Sequence, residues 1–232
     1  MKMDVKKIKI KAFIMLSLYT GLNGYAQTGI NMDRKPFKTA FLNKGANPLI
    51  QYKTLEINPV NLFVQDKPWS DRSVQIQLEL KVTEKDKKFS TFLWYYSEVN
   101  NPPQNYPQAF GKYAYGLEIS KQQDVQLVVD ELNLENPFFI NLGHDAIIGD
   151  LTVNFKESVD VMGASLDGKP SKYDSYADYQ LGLSENGQQE TLSFSSVDFN
   201  EGRGSLKWKD YEIKILYYDM KLLQLVVSKS KR

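Results

Sequence analysis

The chain has 232 residues, a formal net charge of +1 and no cysteine. The lack of cysteine excludes disulfides, cysteine nucleophiles and Cys-based zinc or iron–sulfur centres. A nearly neutral chain without a long basic cluster argues against nucleic acid and anionic membranes as partners.

The first 26 residues have the pattern of a secretory signal. Five lysines between Lys2 and Lys11 precede an apolar run, and Gly24-Tyr25-Ala26 then places small residues at the two positions that a signal peptidase reads. The apolar run is too short to span a bilayer. We therefore predict a signal peptide over residues 1–26 and an exported protein, in the periplasm or at the cell surface. Cleavage would remove five lysines and Asp4, which changes the net charge from +1 to −3.

The junction Tyr25-Ala26-Gln27 resembles the cleavage junction of exported proteins from Bacteroidota-type Gram-negative bacteria. No cysteine follows it to carry a lipid anchor. No later apolar stretch reaches the roughly 20 residues that a membrane helix needs. We therefore expect a mature protein without a lipid anchor or a transmembrane segment.

We interpret residues 28–48 as a leader with one edge strand. Clear strand patterns begin after them. The clearest pattern is at residues 74–83, where five apolar residues alternate with five polar ones. This period of two, with one apolar face, is typical of an antiparallel sheet that is buried on one side. The C-terminus predicts a hairpin, with Asp219-Met220 at the turn between two alternating segments.

An aromatic stretch follows the charged turn at residues 84–88. Phe92, Trp94 and Tyr96 alternate with Leu93 and Tyr95, so both faces of the predicted strand are apolar. Further rings lie in and after a Pro/Asn-rich loop: Tyr106, Phe110, Tyr113 and Tyr115. Exposed Tyr and Trp rings offer a large rigid area with a polar tip, which suits a sugar or a protein partner.

The alternative is that these rings fill the core between two sheets. Core packing is the favoured interpretation for Trp94 and Tyr96. For Tyr95 and Tyr106 a core position and a surface position are equally favoured. The candidate ligand-binding residues are Tyr95, Tyr106, Trp94 and Tyr113.

Residues 138–155 lie near the middle of the mature chain and predict two half-buried strands around a Gly143-His144-Asp145 bend. This bend is either the joint between two β domains or the crossover between two sheets of one domain. His144 is the only histidine in the chain.

No segment shows sustained helical periodicity, and strand patterns recur at the 8–12-residue spacing of sandwiches. The sequence therefore predicts an all-β fold, an antiparallel β-sandwich. Gln126-Leu127-Val128-Val129 recurs at residues 224–227, 98 positions later. This spacing matches the length of one sandwich domain. We favour two tandem immunoglobulin-like or jelly-roll-like sandwich domains, residues 27–135 and 136–232, over one large sandwich.

Few patterns indicate catalysis, and no catalytic residue is assigned. A Ser-His-Asp triad would have to use His144, and no Gly-x-Ser-x-Gly elbow is present, so we interpret His144 as a turn residue. No glycine-rich phosphate loop occurs, and we expect no cofactor. Asp167, Asp174 and Asp178 could hold calcium, but two lysines in that loop favour a solvated loop and no metal site.

Two segments resemble small exported β-rich proteins of unassigned function from Bacteroidota-type bacteria. They are residues 148–155, Ile-Gly-Asp-Leu-Thr-Val-Asn-Phe, and residues 208–213, Trp-Lys-Asp-Tyr-Glu-Ile. The resemblance covers the last 95 residues or so, and it implies a β domain and no chemistry.

Three functions follow as hypotheses. The favoured one is an exported, non-catalytic binding module of the cell envelope, with a glycan or an envelope protein as partner. The second is a carboxylate-based hydrolase of polysaccharides, which needs two carboxyl groups roughly 5–10 Å apart. The third is a structural envelope component that pairs through an exposed edge strand, for which residues 222–228 are the candidate.

Overall fold

The computed structural model describes residues 38–42, 47–52, 54–66, 74–98, 101–105, 107–119, 124–162 and 175–230. The predicted signal peptide, Tyr106 and most of the candidate calcium loop lie outside these ranges. The predictions made for them stay predictions.

Nearly all of the described chain is β-strand. The strands of the first half are β1 (Lys38–Phe41), β2 (Ile50–Tyr52), β3 (Leu55–Asp66), β4 (Val74–Glu84), β5 (Lys87–Glu98), β6 (Asn101–Asn105), β7 (Gln108–Phe110), β8 (Tyr113–Ile119) and β9 (Val125–Glu131). Those of the second half are β10 (Phe138–Asn141), β11 (Asp145–Ile148), β12 (Leu151–Met162), β13 (Ser175–Glu185), β14 (Gln188–Ser195), β15 (Ser205–Trp208), β16 (Tyr211–Asp219) and β17 (Leu222–Lys229).

These strands form three sheets. The largest has eight strands in the order β1-β9-β8-β7-β10-β17-β16-β15, and the others have the orders β2-β3-β4-β5-β6 and β11-β12-β13-β14. Strand pairing is antiparallel except where β10 runs parallel to β7. The prediction of an all-β, sandwich-type fold is confirmed, and so is the edge strand predicted within residues 28–48, which is β1.

Two apolar cores hold the sheets together. Side chains of β3, β4 and β5 pack against β8 and β9 in one core, which includes Leu78, Leu93 and Leu117. Side chains of β12 and β13 pack against β16 and β17 in the other, which includes Phe155, Leu181 and Leu225. The eight-stranded sheet is therefore one layer of both sandwiches, and the smaller sheets cover its two halves.

Most core residues before the predicted division near residue 136 belong to the first core, but Ala109 and Leu132 already belong to the second. Strands from both sides of that point nevertheless belong to the same eight-stranded sheet, where β7 and β10 are neighbours. Whether the two halves are separate domains stays a prediction, since a shared sheet does not tell whether each half folds alone.

The alternating segments form strands where the sequence predicts them. In β4, Ile76, Leu78, Leu80 and Val82 are buried, whereas the polar residues between them are partly or fully exposed. The C-terminal hairpin is also confirmed, with β16 and β17 joined by a turn that begins at Met220. A bulge between Ile215 and Tyr217 turns Tyr217 to the opposite face, where its ring lies 6.2 Å from that of Phe139.

The middle segment is a crossover between two sheets. β10 pairs with β17 in the eight-stranded sheet, and β12 pairs with β13 in the four-stranded sheet. The sequence did not predict the short strand β11, which pairs with β12 through a turn at Gly149-Asp150.

One short helix, α1 (Ser196–Asn200), was also not predicted. Ser195 caps it: its hydroxyl accepts a hydrogen bond from the Asp198 N–H, and the Asp198 carboxylate accepts one from the Ser195 N–H. This reciprocal pair is a capping box. Five residues are too few to show helical periodicity, so the capping pair is the signal that could have revealed the helix.

The C-terminal strand is not an edge, which corrects the candidate for edge pairing. β17 lies between β10 and β16: it pairs with β16 along its whole length and with β10 over residues 222–225. Its alternating pattern indicated a strand but contained no information about its neighbours. Residues 222–225 therefore have a strand on both sides, and the Val227 carbonyl accepts a hydrogen bond from the Glu135 N–H, so β17 is not a continuous free edge.

Candidate functional site

The outward face of β5 carries several rings that are exposed or half-buried. Leu93 is fully buried and Tyr95 is 7% exposed, so both point into the core. Phe92, on the opposite face, is 50% exposed, and Trp94 and Tyr96 are half-buried. The interpretation of Trp94 and Tyr96 as core residues is therefore wrong: they share the face of Ser90 and Phe92, which is the wet side of the strand.

A fourth ring lies on the same face, two strands away. Phe63 on β3 is 54% exposed, and its register partner on β4 is Gln77, whose own partner on β5 is Trp94. Because neighbouring strands are about 4.8 Å apart, the backbones at Phe63 and Trp94 are separated by about 10 Å. Phe92 and Trp94 are two residues apart on one strand, or about 7 Å. We call Phe63, Phe92, Trp94 and Tyr96 the aromatic face.

Polar side chains fill the spaces between these rings. Gln75 lies between Gln65 and Tyr96 in register, and Gln77 lies between Phe63 and Trp94. In the next row, the Asn61 amide donates a hydrogen bond of 2.9 Å to the Glu79 carboxylate, which also lies 3.5 Å from the Lys81 ammonium. The result is a broad apolar surface with hydrogen-bonding amides at regular positions across it.

Phe63 was missed by sequence reasoning because a bulge changes the face on which it lies. Leu55, Ile57 and Pro59 are the buried positions at the start of β3. The register then shifts between Pro59 and Asn61, so the following odd-numbered residues point outward. The continuous run Leu62-Phe63-Val64 gave no indication of which of its members would be exposed.

The four residues predicted to bind a ligand have different environments. Trp94 belongs to the aromatic face, and Tyr106 lies outside the described residues. Tyr95 and Tyr113 are 7% and 6% exposed and belong to the core of the first sandwich. Burial, with a smaller contribution from Glu118, raises the pKa of Tyr95 above its usual value. Their binding roles stay untested predictions, but rings so enclosed offer a ligand little surface, and we retain only Trp94.

His144 lies where the two sandwiches meet. Its ring makes edge-on contacts with Phe89 on β5 and Phe110 on β7, at centroid distances of 5.1 and 5.9 Å. Those two rings stack on each other at 4.9 Å. Burial lowers the pKa of His144, and the neighbouring Asp145 carboxylate partly opposes that shift. These contacts are those of a structural residue. His144 lies just before β11, in the crossover between two sheets, and not in a simple hairpin turn.

Backbone hydrogen bonds close the same junction. The Gly111 N–H donates to the Asp145 carbonyl at 2.9 Å, and the Ile147 N–H donates to the Gly111 carbonyl at 2.7 Å. The Asp145 carboxylate accepts hydrogen bonds from Asn154 at 2.7 Å and from Lys87 at 3.2 Å. We call Gly111, His144 and Asp145 the seam, because they link β7 of the shared sheet, β11 and the β4–β5 hairpin.

A second polar cluster lies at the end of the other sandwich. The Glu185 carboxylate accepts hydrogen bonds from the Tyr211 hydroxyl at 2.6 Å and from Lys209 at 2.9 Å. The hydrogen bond to Glu185, followed by burial, raises the pKa of Tyr211 to about 12. The Lys209 ammonium also lies 4.4 Å from the centre of the Trp208 ring. The Lys209 ammonium also donates a 3.4 Å hydrogen bond to the Glu185 carbonyl, so the cluster joins the end of β13 to Lys209 and β16.

Within the described ranges, no three His, Asp or Glu side chains come together in a way that would hold a metal ion. None of the helices in those ranges has the length and apolar character needed to cross a membrane. No protein-family model matches the chain, and no curated protein sequence matches it. The aromatic face on the five-stranded sheet is therefore the candidate site on geometry alone.

Proposed function

We propose that the protein is exported and binds glycan chains on the aromatic face, as a binding module of the cell envelope without catalytic activity of its own. The observation that carries the proposal is that Phe63, Phe92 and Trp94, exposed or half-exposed, lie on one wet sheet face, with Phe63 and Trp94 in one cross-strand row and Phe92 in the next. The signal-like first 26 residues support export.

A glycan suits this surface better than a purely apolar ligand does. Rings present flat apolar areas that match the C–H faces of sugars, and the indole N–H of a tryptophan such as Trp94 can donate a hydrogen bond. Gln75 and Gln77 place amide donors and acceptors between the rings, where sugar hydroxyls would lie. Binding sites commonly combine an apolar lining with a few such placed polar groups that fix ligand orientation.

The exposed rings are not explained by the needs of the fold. Burying a Phe side chain stabilises a protein by about 1.5–3 kcal/mol, whereas Phe63 and Phe92 leave half of their surface in water. An exposed apolar patch on a folded domain commonly marks an interaction site. Gln75 and Gln77 lie between the rings, and the Glu79 carboxylate beside Phe92 already interacts with Asn61 and Lys81, so the face favours a neutral, hydroxyl-rich partner.

The test is affinity electrophoresis of the purified protein in gels that contain hydroxyethylcellulose, xylan, galactomannan, laminarin, pectin or mucin. We expect at least one polymer to retard the protein, and Trp94→Ala to weaken that retardation about tenfold or more, since stacking on one ring contributes about 1–3 kcal/mol in comparable systems. Val159→Ala, at an exposed apolar residue of the four-stranded sheet, is the matched control and should behave as wild type. Migration unaffected by all six polymers, or retardation that Trp94→Ala leaves intact, would refute the proposal.

A further inference from the structure

A groove continues the aromatic face along the same side of the five-stranded sheet. It has a volume of about 430 Å³ and is lined in part by Glu56, Asn58, Lys81, Lys88 and Ser90. These residues occupy the two cross-strand rows next to the aromatic rows. Asn58 is paired in register with Lys81, and Lys81 with Ser90. The groove and the rings are therefore parts of one surface.

The groove is polar where the aromatic face is apolar. Asn58, Lys81, Lys88 and Ser90 are all exposed, and each can donate a hydrogen bond. Leu49, which is 50% exposed, adds an apolar side chain to the lining. The Glu56 carboxylate accepts a 3.4 Å hydrogen bond from Gln51. Such a lining can hold the hydroxyl groups of a sugar by hydrogen bonds without stacking.

The combined surface is long. Thr83 and Gln75 mark its two ends on β4, because Thr83 pairs with Glu56 and Gln75 pairs with Gln65. They are eight positions apart on the strand, which corresponds to about 26 Å at about 3.3 Å per residue. Its width across β3, β4 and β5 is about 10 Å. A surface with these proportions fits an extended chain that runs along the strands.

We infer that the aromatic face and the groove form one continuous binding track for an extended glycan of several sugar units, in which the rings stack on some units and the groove hydrogen-bonds others. This inference rests on the proposed function and adds the length of the ligand to it. A single sugar or a disaccharide would contact only one part of the track.

The test uses isothermal titration of the purified protein with oligosaccharides of two, four and six units, prepared from the polymer that retards it most in the gels. We expect affinity to rise at least tenfold between the two-unit and the six-unit ligand. The double variant Asn58→Ala/Lys88→Ala should bind the six-unit ligand at least fivefold more weakly and leave binding of the two-unit ligand unchanged. Lys207→Ala, at an exposed lysine on β15, is the matched control for loss of a positive charge.

The two proposals fail in different ways. Equal affinity for all three lengths, or a six-unit ligand that the double variant binds as tightly as wild type does, would overturn the extended track even if Trp94→Ala still weakens binding. Loss of dependence on Trp94 would overturn the glycan-binding function and the track together. Asn58 and Lys88 are exposed and Trp94 is half-buried, and the circular dichroism of both variants should match wild type.

Discussion

The outer faces of the two smaller sheets differ in composition although both cover a half of the same eight-stranded sheet. The five-stranded sheet presents Phe63, Phe92 and Trp94 to solvent. The four-stranded sheet presents mainly polar residues beside the exposed Val159, and there Lys156 lies over Gly182 and donates a 2.8 Å hydrogen bond to Thr191. A wet sheet face in this protein therefore does not require aromatic residues, which points to a role for them beyond folding.

The largest change in the free energy of unfolding is expected on the inner face of β5, and a substitution on its outer face provides the comparison. Leu93→Ala removes a fully buried side chain and should lower the free energy of unfolding by about 2–5 kcal/mol, because it leaves a cavity in the core. Phe92→Ala, one residue away but half-exposed, should change it by about 0.5 kcal/mol or less. Urea denaturation measures both.

A matched pair on the other sandwich sharpens this comparison. Leu181 is fully buried on β13, and its neighbour Gln180 is on the outer face, so Leu181→Ala and Gln180→Ala should show the same large difference. If Phe92→Ala proved as destabilising as Leu93→Ala, the aromatic face would be part of a core. The rings would then be explained by folding, and the difference between the two outer faces would not indicate a binding role.

The contacts of the seam link the two sandwiches at the shared sheet. Gly111 has a φ of +57°, and a Cβ there would approach the Glu84 carboxylate at 3.1 Å. Gly111→Val should therefore lower the free energy of unfolding by about 1–3 kcal/mol, since a branched residue is strained in that backbone conformation. Gly143→Val is a useful control because Gly143 also has a positive φ, of +79°, but has open space around it. Equal losses in the two variants would assign the effect to backbone strain alone.

A smaller effect, of opposite sign, is expected in the core below the aromatic face. Tyr115 is fully buried, and its hydroxyl has no hydrogen-bond partner among the described residues. Tyr115→Phe removes this unsatisfied group and should leave stability unchanged or raise it by about 1 kcal/mol. Chemical denaturation with an unchanged m-value measures the change. A decrease of about 2 kcal/mol or more in the free energy of unfolding would contradict this and show that the hydroxyl forms a hydrogen bond.

The smallest effect concerns pH and His144. Burial lowers the pKa of His144 in the folded state, so the unfolded state takes up the proton more readily. The stability that this difference contributes is present above the unfolded pKa of about 6.5 and is lost as the pH falls towards the folded value. Melting temperatures between pH 7.5 and 5.5 should decrease less for His144→Phe than for wild type. Parallel curves would show that His144 does not titrate differently in the two states.

The fold could be predicted from local patterns because its core strands alternate cleanly. The β4 strand and the C-terminal hairpin follow directly from buried residues at every second position. Strand partners could not be predicted in this way, since nothing in the alternation of β17 shows that it lies between β10 and β16. The four-residue strand β11 is too short for its alternation to be distinguished from a turn.

The candidate site could be predicted only in part. The aromatic stretch drew attention to Trp94, but Leu93 and Tyr95 made the other face of β5 equally apolar, and composition does not decide which face turns inward. The position of Phe63 depends on a bulge in β3 and on two further strand registers. Residues that come together across three strands are beyond the reach of local sequence patterns.

The most direct test of the central claim is a two-dimensional ¹H–¹⁵N spectrum that follows the tryptophan indole N–H signals while the six-unit oligosaccharide is added. The chain has three tryptophans, so few signals need assignment, and Trp94→Phe and Trp208→Phe identify two of them. We predict that the Trp94 signal shifts and saturates with the binding isotherm, whereas the Trp208 signal of the other sandwich does not move. A Trp94 signal that stays in place while the oligosaccharide binds would contradict the assignment of the aromatic face as the glycan site.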